Sequence, residues 1–362
     1  MTIKASRKAR RRISTARTAA AVLLALFATV VAFADLIAPY TPTSQSRQEI
    51  SAPPSNIRFR DRDGNFQFQP FIYRRRLADP LMYRFEEVET EKFPVELFVT
   101  GEPYKLFGIF PAATHLLGVG AAVSDVPRLY LLGTDALGRD RFSRLLFATR
   151  FSLLVCPLGA ALACLIGIFI GLVSGYSHRL FDTLLMGTAD TMLALPTLIL
   201  ILAARAAFPL ELPPTTAATL LIVIFALTGW AEMARLTRGV VRSLKEKEFV
   251  LAARSIGLTE FRVLFRHILP NAAPVLITQA VVILPYFLLA EVALSFLGVG
   301  LQEPAPSLGN MLAAASDITQ LARQPFLLLT PAIVIFAFVL AVRLIASGGK
   351  GVETISTAQF SK

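Results

Sequence analysis

The chain has few of the residues that build catalytic centres. Its 362 residues include 2 cysteines, 3 histidines and 1 tryptophan. Cys156 and Cys164 share one apolar run, eight residues apart and so roughly on one helical face. No Cys-x-x-Cys pair and no Cys/His cluster occurs, so a zinc site or redox pair is excluded and both read as small core residues. His115, His178 and His267 are far apart in sequence. There is no GxxxxGK(S/T) loop, so the chain does not bind ATP by that route. Without HExxH or GxSxG, a membrane hydrolase has nothing to work with. No catalytic, cofactor-binding or metal-ligating residue is expected, and the chain is not read as an enzyme.

Apolar length is abundant instead. Hydrophobic residues make up 54% of the chain, and mean hydropathy is +0.60, above that of ordinary soluble domains. A membrane span needs about twenty apolar residues, because about 1.5 Å of rise each must cross about 30 Å of hydrocarbon. Six windows qualify: Ala19–Ala38, Phe151–Ser174, Thr183–Ala204, Thr216–Met233, Ala273–Leu297 and Phe326–Ile345. The expected fold is therefore an all-α polytopic membrane protein with six transmembrane helices.

The net charge of +11 could point to nucleic acid or to a membrane surface, so its placement decides. Residues 1–18 hold Lys4, Arg7, Lys8, Arg10, Arg11, Arg12 and Arg17, with no acid before Asp35. This head abuts an apolar run that lacks a clear small-x-small cleavage site, so a retained anchor is expected rather than a signal peptide. Membrane lipid is the expected contact, and nucleic acid is not. The positive-inside rule puts the N-terminus in the cytoplasm. Counting spans puts 231–270 there too, where Arg235, Arg238, Arg242, Lys245, Lys247, Arg254, Arg262 and Arg266 face four acids. The outer loop Ala206–Pro214 has no Lys or Arg, and the loop near 299–325 has only Arg323. An N-in, C-in topology follows, with 346–362 as a cytoplasmic tail.

Between the first two spans lies a long polar insert, about residues 39–136. Long loops translocate largely regardless of charge, so its basic residues do not disturb the topology. Ile57–Phe59 and Phe66–Phe68 alternate around Asp63-Gly64, a hairpin signal. Val95–Val99 and Tyr104–Phe107 flank Gly101 and Pro103 in the same way. A small β-rich extracytoplasmic subdomain is expected; the phenylalanine content argues against a disordered linker. Leu137–Arg150 is amphipathic, with arginines between Leu137, Phe142, Leu145 and Leu146, and is expected to lie along the outer interface.

The most informative stretch is the polar loop 234–271. Residues 248–256 read as a short helix ended by Gly257, which tolerates a left-handed cap. Ala252 and Ala253 would leave a thin face for another protein's approach, and Pro270 would open the next span, where its missing N–H costs nothing. The spacing Leu251-Ala252-Ala253, x3, Gly257, x9, His267, x, Leu269-Pro270 resembles the cytoplasmic coupling loop of ABC importer permeases, Glu-Ala-Ala, x3, Gly, x9, Ile, x, Leu-Pro. Leu251 replaces the Glu and His267 the Ile. Glu248 and Arg254 belong to the same candidate surface.

The resemblance extends further. Leu132-Gly133-Thr134-Asp135-Ala136-Leu137-Gly138-Arg139-Asp140, then Ser143-Arg144-Leu145-Leu146, is similar to the segment before the second span in the dipeptide/oligopeptide permease family, C-type subunit. So are Asp182, Asp190 and Pro196 in the third span, Trp230, Ala234-Arg235 and Arg238-Gly239 before the coupling loop, and Ala290 to Gly300 with Pro304, Pro306 and Gly309-Asn310-Met311 beyond. Two departures stand out. The insert is about double the expected length, and Ile345 to Lys350 lacks the closing Gly-Asp-Gly-Leu-Arg-Asp pattern. The resemblance implies the type I ABC importer permease fold and a peptide or peptide-like cargo. It also implies a second permease subunit in a heterodimer, two cytoplasmic ATP-binding subunits carrying ATP and Mg, an extracytoplasmic solute-binding protein, and residence in the bacterial inner membrane.

Charges inside spans are functional candidates by default. Asp190 falls about 10 Å above the inner face by helical rise, where it lines a pathway or bonds to a neighbouring helix, Thr188 and Thr191 being close in sequence. Glu291 falls about 30 Å along the fifth span, near the outer surface, where its charge costs little. Arg205 and Arg343 sit at span ends and are expected to snorkel. Pro196 and Pro285 are expected to kink their helices. A secondary transporter or channel working alone is the alternative; it would need an internal repeat or a chain of intramembrane ions, and neither is visible.

Overall fold

The computed structural model describes residues 2–80, 83–120, 126–316, 318, 321, 324 and 326–359, the side chains of 2–14, 326–328 and 347–359 excepted. Arg323, the basic side chains at 4–12 and the side chains of the C-terminal tail lie outside the described residues. Two compact units emerge: Met1–Ala25, Leu153–Gly300 and Ile335–Lys362 form one, and Leu26–Ser152 with Leu301–Val334 the other.

The helices are α1 (Thr2–Ile37), α2 (Arg141–Tyr176), α3 (Arg179–Ala194), α4 (Thr197–Ala206), α5 (Pro214–Lys245), α6 (Glu248–Ser255), α7 (Glu260–Val263), α8 (Leu269–Phe296), α9 (Leu308–Ala313) and α10 (Phe326–Gln359). Five helical segments among the described residues are long and apolar enough to cross a membrane: Thr15–Ile37, Arg141–Tyr176, Pro214–Lys245, Glu260–Phe296 and Leu329–Ala346. Helices α3 and α4 pass that test only as a pair, bent by 88°. The kink expected at Pro196 within Thr183–Ala204 is present as this break. Pro196 carries no N–H and pushes the residue before it out of the helical region; Leu195 sits at φ −95°, ψ 139°.

The first unit is organised around a seam on α2. Gly159, Ala163, Gly167, Gly171 and Gly175 recur every fourth residue and so share a face. A Cβ added at Gly167 would stand 2.5 Å from the Trp230 carbonyl oxygen, and one at Gly171 2.5 Å from that of Ala234. At Gly159 it would meet Phe225, and at Gly175 Val241. Small residues at this spacing let two helix backbones approach closely, which is the main attraction open to helices in lipid. Helix α8 joins at Gly229, whose bare Cα receives the ring of Phe287, itself stacked on Phe225 at 4.7 Å.

The second unit carries one antiparallel sheet in the order β1 (Arg58–Arg60), β2 (Phe66–Asp79), β3 (Arg84–Leu106) and β4 (Phe110–Val119). Gly64, at φ +85°, lies in the β1–β2 turn. The second hairpin expected from sequence is corrected: Val95–Val99 and Tyr104–Leu106 belong to one strand, β3, whose register slips between Thr100 and Tyr104. Gly101 and Pro103 mark that irregularity, not a turn. Gly101 has no side chain because the ring of His115 packs against it. The turn comes later, at Phe107-Gly108-Ile109.

Leu132–Asp140 forms a knot of turns before α2. The Asp135 carboxylate accepts the N–H groups of Leu137 and Arg139, both at 2.9 Å. Asp140 caps α2 by accepting from the Ser143 N–H (2.8 Å) and hydroxyl (2.6 Å). Arg139, Arg141 and Arg144 are buried rather than spread along an interface. Arg139 pairs with Asp135 (2.7 Å) and Glu303 (2.6 Å), and Arg144 with Glu303 (2.8 Å), so the helix expected from Leu137 starts only at Arg141.

The seam makes a direct prediction. Gly171→Ala inserts a methyl against the α5 backbone and should lower the thermal midpoint of the detergent-solubilised protein. Gly187→Ala, with nothing within 4 Å of the added carbon, should hold or raise it, since alanine is the better helix former by about 1 kcal/mol. Equal behaviour of the two variants in a thermal melt contradicts the seam.

Candidate coupling surface

The chain between α5 and α8 builds a compact elbow. Helix α6 is ended by a left-handed glycine: Gly257 has φ +84°. The Leu258 N–H donates to the Ala253 carbonyl at 3.3 Å, and the Gly257 N–H to that of Arg254 at 2.9 Å. These two bonds are the Schellman pattern, which satisfies carbonyls the helix leaves unpaired. Leu258 then packs into a cluster of Val241, Val250, Ala253, Val263 and Ile268, flanked by Leu172, Tyr176 and Leu244. The elbow therefore rests on the ends of α2 and α5.

The two alanines separate. Ala252 is exposed, whereas Ala253 is only 4% exposed and serves the cluster. The expectation that both present a thin outer face is corrected, because Ala253 faces the same side as Val250. Glu248, Leu251 and Ala252 lie on the exposed side, with Phe249, Ile256, Phe261 and Phe265 also open. Arg254 is half-buried and pairs with the exposed Glu260 at 2.8 Å; a pair open to solvent on one side contributes little to stability.

Pro270 stands in the first turn of α8, where its missing N–H leaves little unmade. A π-turn, Leu264–Ile268, joins α7 to α8 without a break, and the Leu269 N–H reaches the Leu264 carbonyl. The wider turn makes room where Pro270 can offer no N–H and its ring would crowd the preceding carbonyls. His267 lies in this turn, half-buried, its carbonyl accepting from the Asn271 amide at 2.6 Å.

Beside the elbow sits an ionic clamp that sequence inspection passed over. Asp182 in the first turn of α3 is buried and accepts from Arg238 Nε and Nη2, both at 2.6 Å, from Arg242 Nη2 at 2.6 Å, and from the Ser174 hydroxyl. One carboxylate thus ties α3 to α5 and α2. The available signal was the pair Arg238 and Arg242, one helical turn apart and facing one side.

The other intramembrane candidates scatter. Asp190 is exposed and 3.5 Å from Arg235 of α5. Thr188 and Thr191 donate to their own helix, at Leu185 and Gly187, and do not serve it. Glu291 is fully buried and accepts from Ser295 at 2.8 Å, so the expectation of a cheap charge near the surface is corrected. Arg205 does not snorkel. It is fully buried, and its guanidinium donates to the carbonyls of Pro209 (3.0 Å), Leu210 (3.1 Å) and Gly300 (3.4 Å), closing the end of α4. Pro196 marks the α3–α4 break. Glu232, one residue inside the third-from-last apolar window, was missed: its carboxylate accepts from Gln279 at 2.9 Å. The two share the walls of one cavity of about 630 Å³ with Arg235 and Asn271, and of another of about 380 Å³ with Tyr286 and Arg343.

These features define a polytopic helical membrane protein with a folded polar elbow between two of its long helices. Residues 167–347 match the family described as binding-protein-dependent transport system inner membrane component, and the chain belongs to that family. Among curated relatives, a putative peptide permease protein of Brucella suis is 36% identical over 216 residues, 60% of this chain and 70% of that protein. The dipeptide transport system permease protein of Haemophilus influenzae is 35% identical, covering 60% and 72% respectively. The oligopeptide transport system permease protein of Bacillus subtilis is 35% identical over 55% of this chain and 63% of that one. A solved amino acid ABC transporter is similar at a TM-score of 0.42 and 19% identity, over 59% of this chain and 94% of that one.

The cap yields a local test. Nothing stands within 4 Å of a Cβ at Gly257, so a side chain there is opposed by backbone conformation alone. Gly257→Ala should cost the elbow about 1–2 kcal/mol, and Gly257→Val more. Hydrogen exchange should quicken at residues 248–258 while the α5 amides at 220–235 hold. Unchanged exchange at 248–258 refutes the cap's role.

Proposed function

We propose that this chain is the C-type permease subunit of an ATP-driven importer of peptides or peptide-like solutes in the bacterial inner membrane. The peptide cargo is the common thread of the relatives' names. In this reading six spans cross the membrane, α3 and α4 together making one, with both termini in the cytoplasm. A second permease subunit completes a heterodimer. An extracytoplasmic solute-binding protein delivers cargo, and two cytoplasmic subunits bind ATP and Mg.

The observation that carries the reading is the elbow's construction: one face welded by Val250, Ala253 and Leu258 to the ends of α2 and α5, the other left open. A helix held so tightly moves with the bundle as a lever. When ATP closes the motor subunits, α6 shifts with them and the ends of α2 and α5 follow. ATP drives the change because it binds the closed motor better than the open one. Glu232, Gln279 and Arg343, polar groups along the cavities beside α5 and α8, are the candidate pathway residues, with Arg235 beside Glu232 in one cavity and Asp190 3.5 Å from Arg235.

Ala252→Arg tests the lever without disturbing the cluster, since Ala252 is exposed. In proteoliposomes of the full complex, this variant and Gly257→Val should cut cargo uptake per ATP hydrolysed several-fold, with assembled complex unchanged. Wild-type uptake per ATP in both would overturn the proposal.

A further inference from the structure

The turn between β3 and β4 presents an apolar tip that no soluble domain needs. Phe107, Ile109 and Phe110 are 49%, 73% and 62% exposed. Phe107 holds φ +53°, the left-handed region that bulky residues avoid at a cost of about 1–2 kcal/mol.

Two contacts fix where the hairpin points. Higher up, His115 of β4 lies 2.5 Å through Nδ1 from the Ala38 carbonyl, just past the end of α1. At the tip, the Phe107 ring meets the ring of Phe33 edge-on at 5.8 Å. Phe33 lies within the candidate span Thr15–Ile37, four residues before its end. The hairpin therefore runs back alongside the last turn of α1, and its tip reaches the break in that helix at Phe33 (φ −115°, ψ 21°). It also passes the level of Asp35, whose ion pair with Arg150 at 2.6 Å suits the headgroup layer. Just above the tip stand Tyr104 and the exposed Lys105, the residue types that anchor at the interface, with phenylalanine and isoleucine below them.

We propose that the Phe107–Phe110 tip is a membrane wedge, seated among the acyl chains of the leaflet on the insert's side. The occupant is lipid because the patch is continuous with a membrane-spanning helix and carries no charge below Lys105. The wedge pins the sheet to the bilayer independently of what the complex transports.

The test places tryptophan at the tip. Ile109→Trp and Phe110→Trp are made in the full chain with its complex, reconstituted in phosphatidylcholine vesicles, and Trp230 in the parent gives the baseline. Both variants should show blue-shifted emission, loss of most of the added fluorescence in lipid brominated along its acyl chains, and little quenching by aqueous iodide. Strong iodide quenching would place the tip in water and overturn the wedge. Protection from both quenchers would mean that a protein partner covers it, and overturns the wedge equally. Should either variant fold poorly, a nitroxide on Ile109→Cys reads the same question through its accessibility to oxygen against a water-soluble nickel chelate; Cys156 and Cys164 are buried and do not compete for label.

Discussion

The approach of the α2 and α5 backbones is the constraint on which the first unit depends. At Gly167 and Gly171 a methyl group has no room, since the facing atoms are carbonyl oxygens of α5 that cannot rotate away. In lipid the hydrophobic effect no longer presses helices together, so close van der Waals contact must do it. The same two helices end where Leu172, Tyr176, Val241 and Leu244 form the floor of the elbow. The elbow's position is thus inherited from the seam, and the Asp182 clamp locks a third helix at that end. Removing the Asp182 carboxylate would leave Arg238 and Arg242 facing each other without their shared anion, so the clamp costs much to break.

Local signals were legible in the sequence and tertiary ones were not. Gly257 announces the end of α6 because only the backbone conformation at one residue is at stake. Apolar length announces the spans because it is a property of one contiguous segment. Pro196 announces a kink, but the 88° angle between α3 and α4 depends on what each half packs against. Ala252 and Ala253 look alike in a string, and only the position of Val250 and Val263 decides which one is buried.

The misreadings share a cause. Gly101 and Pro103 imitate a turn, yet Gly101 is small to admit His115, and the neighbouring Glu102 reaches back to the Thr41 N–H (3.0 Å) and hydroxyl (2.8 Å). Arg139, Arg141 and Arg144 imitate an interfacial row, yet Glu303, more than 150 residues away in sequence, collects two of them. Arg205 imitates a snorkelling cation, yet backbone carbonyls at 209, 210 and 300 receive it. In each case a partner distant in sequence supplies the reason, and periodicity carries no trace of it.

The elbow's chemistry also explains why so few of its residues need to be of one kind. Its inner face needs small and branched apolar residues at Val250, Ala253, Leu258 and Val263, because those fill a fixed volume over α2 and α5. Its outer face is exposed, so the fold leaves the side chains of Leu251 and Ala252 free to suit whatever they touch. Gly257 is the exception, tied by φ rather than by contact. In the proposed reading such a surface separates two jobs: the buried half would transmit displacement to the helices, and the open half would meet the partner that delivers it. Exchanging residues of the outer half, as Ala252→Arg does, should therefore act at that contact alone, whereas a change to the inner half also loosens the elbow from α2 and α5.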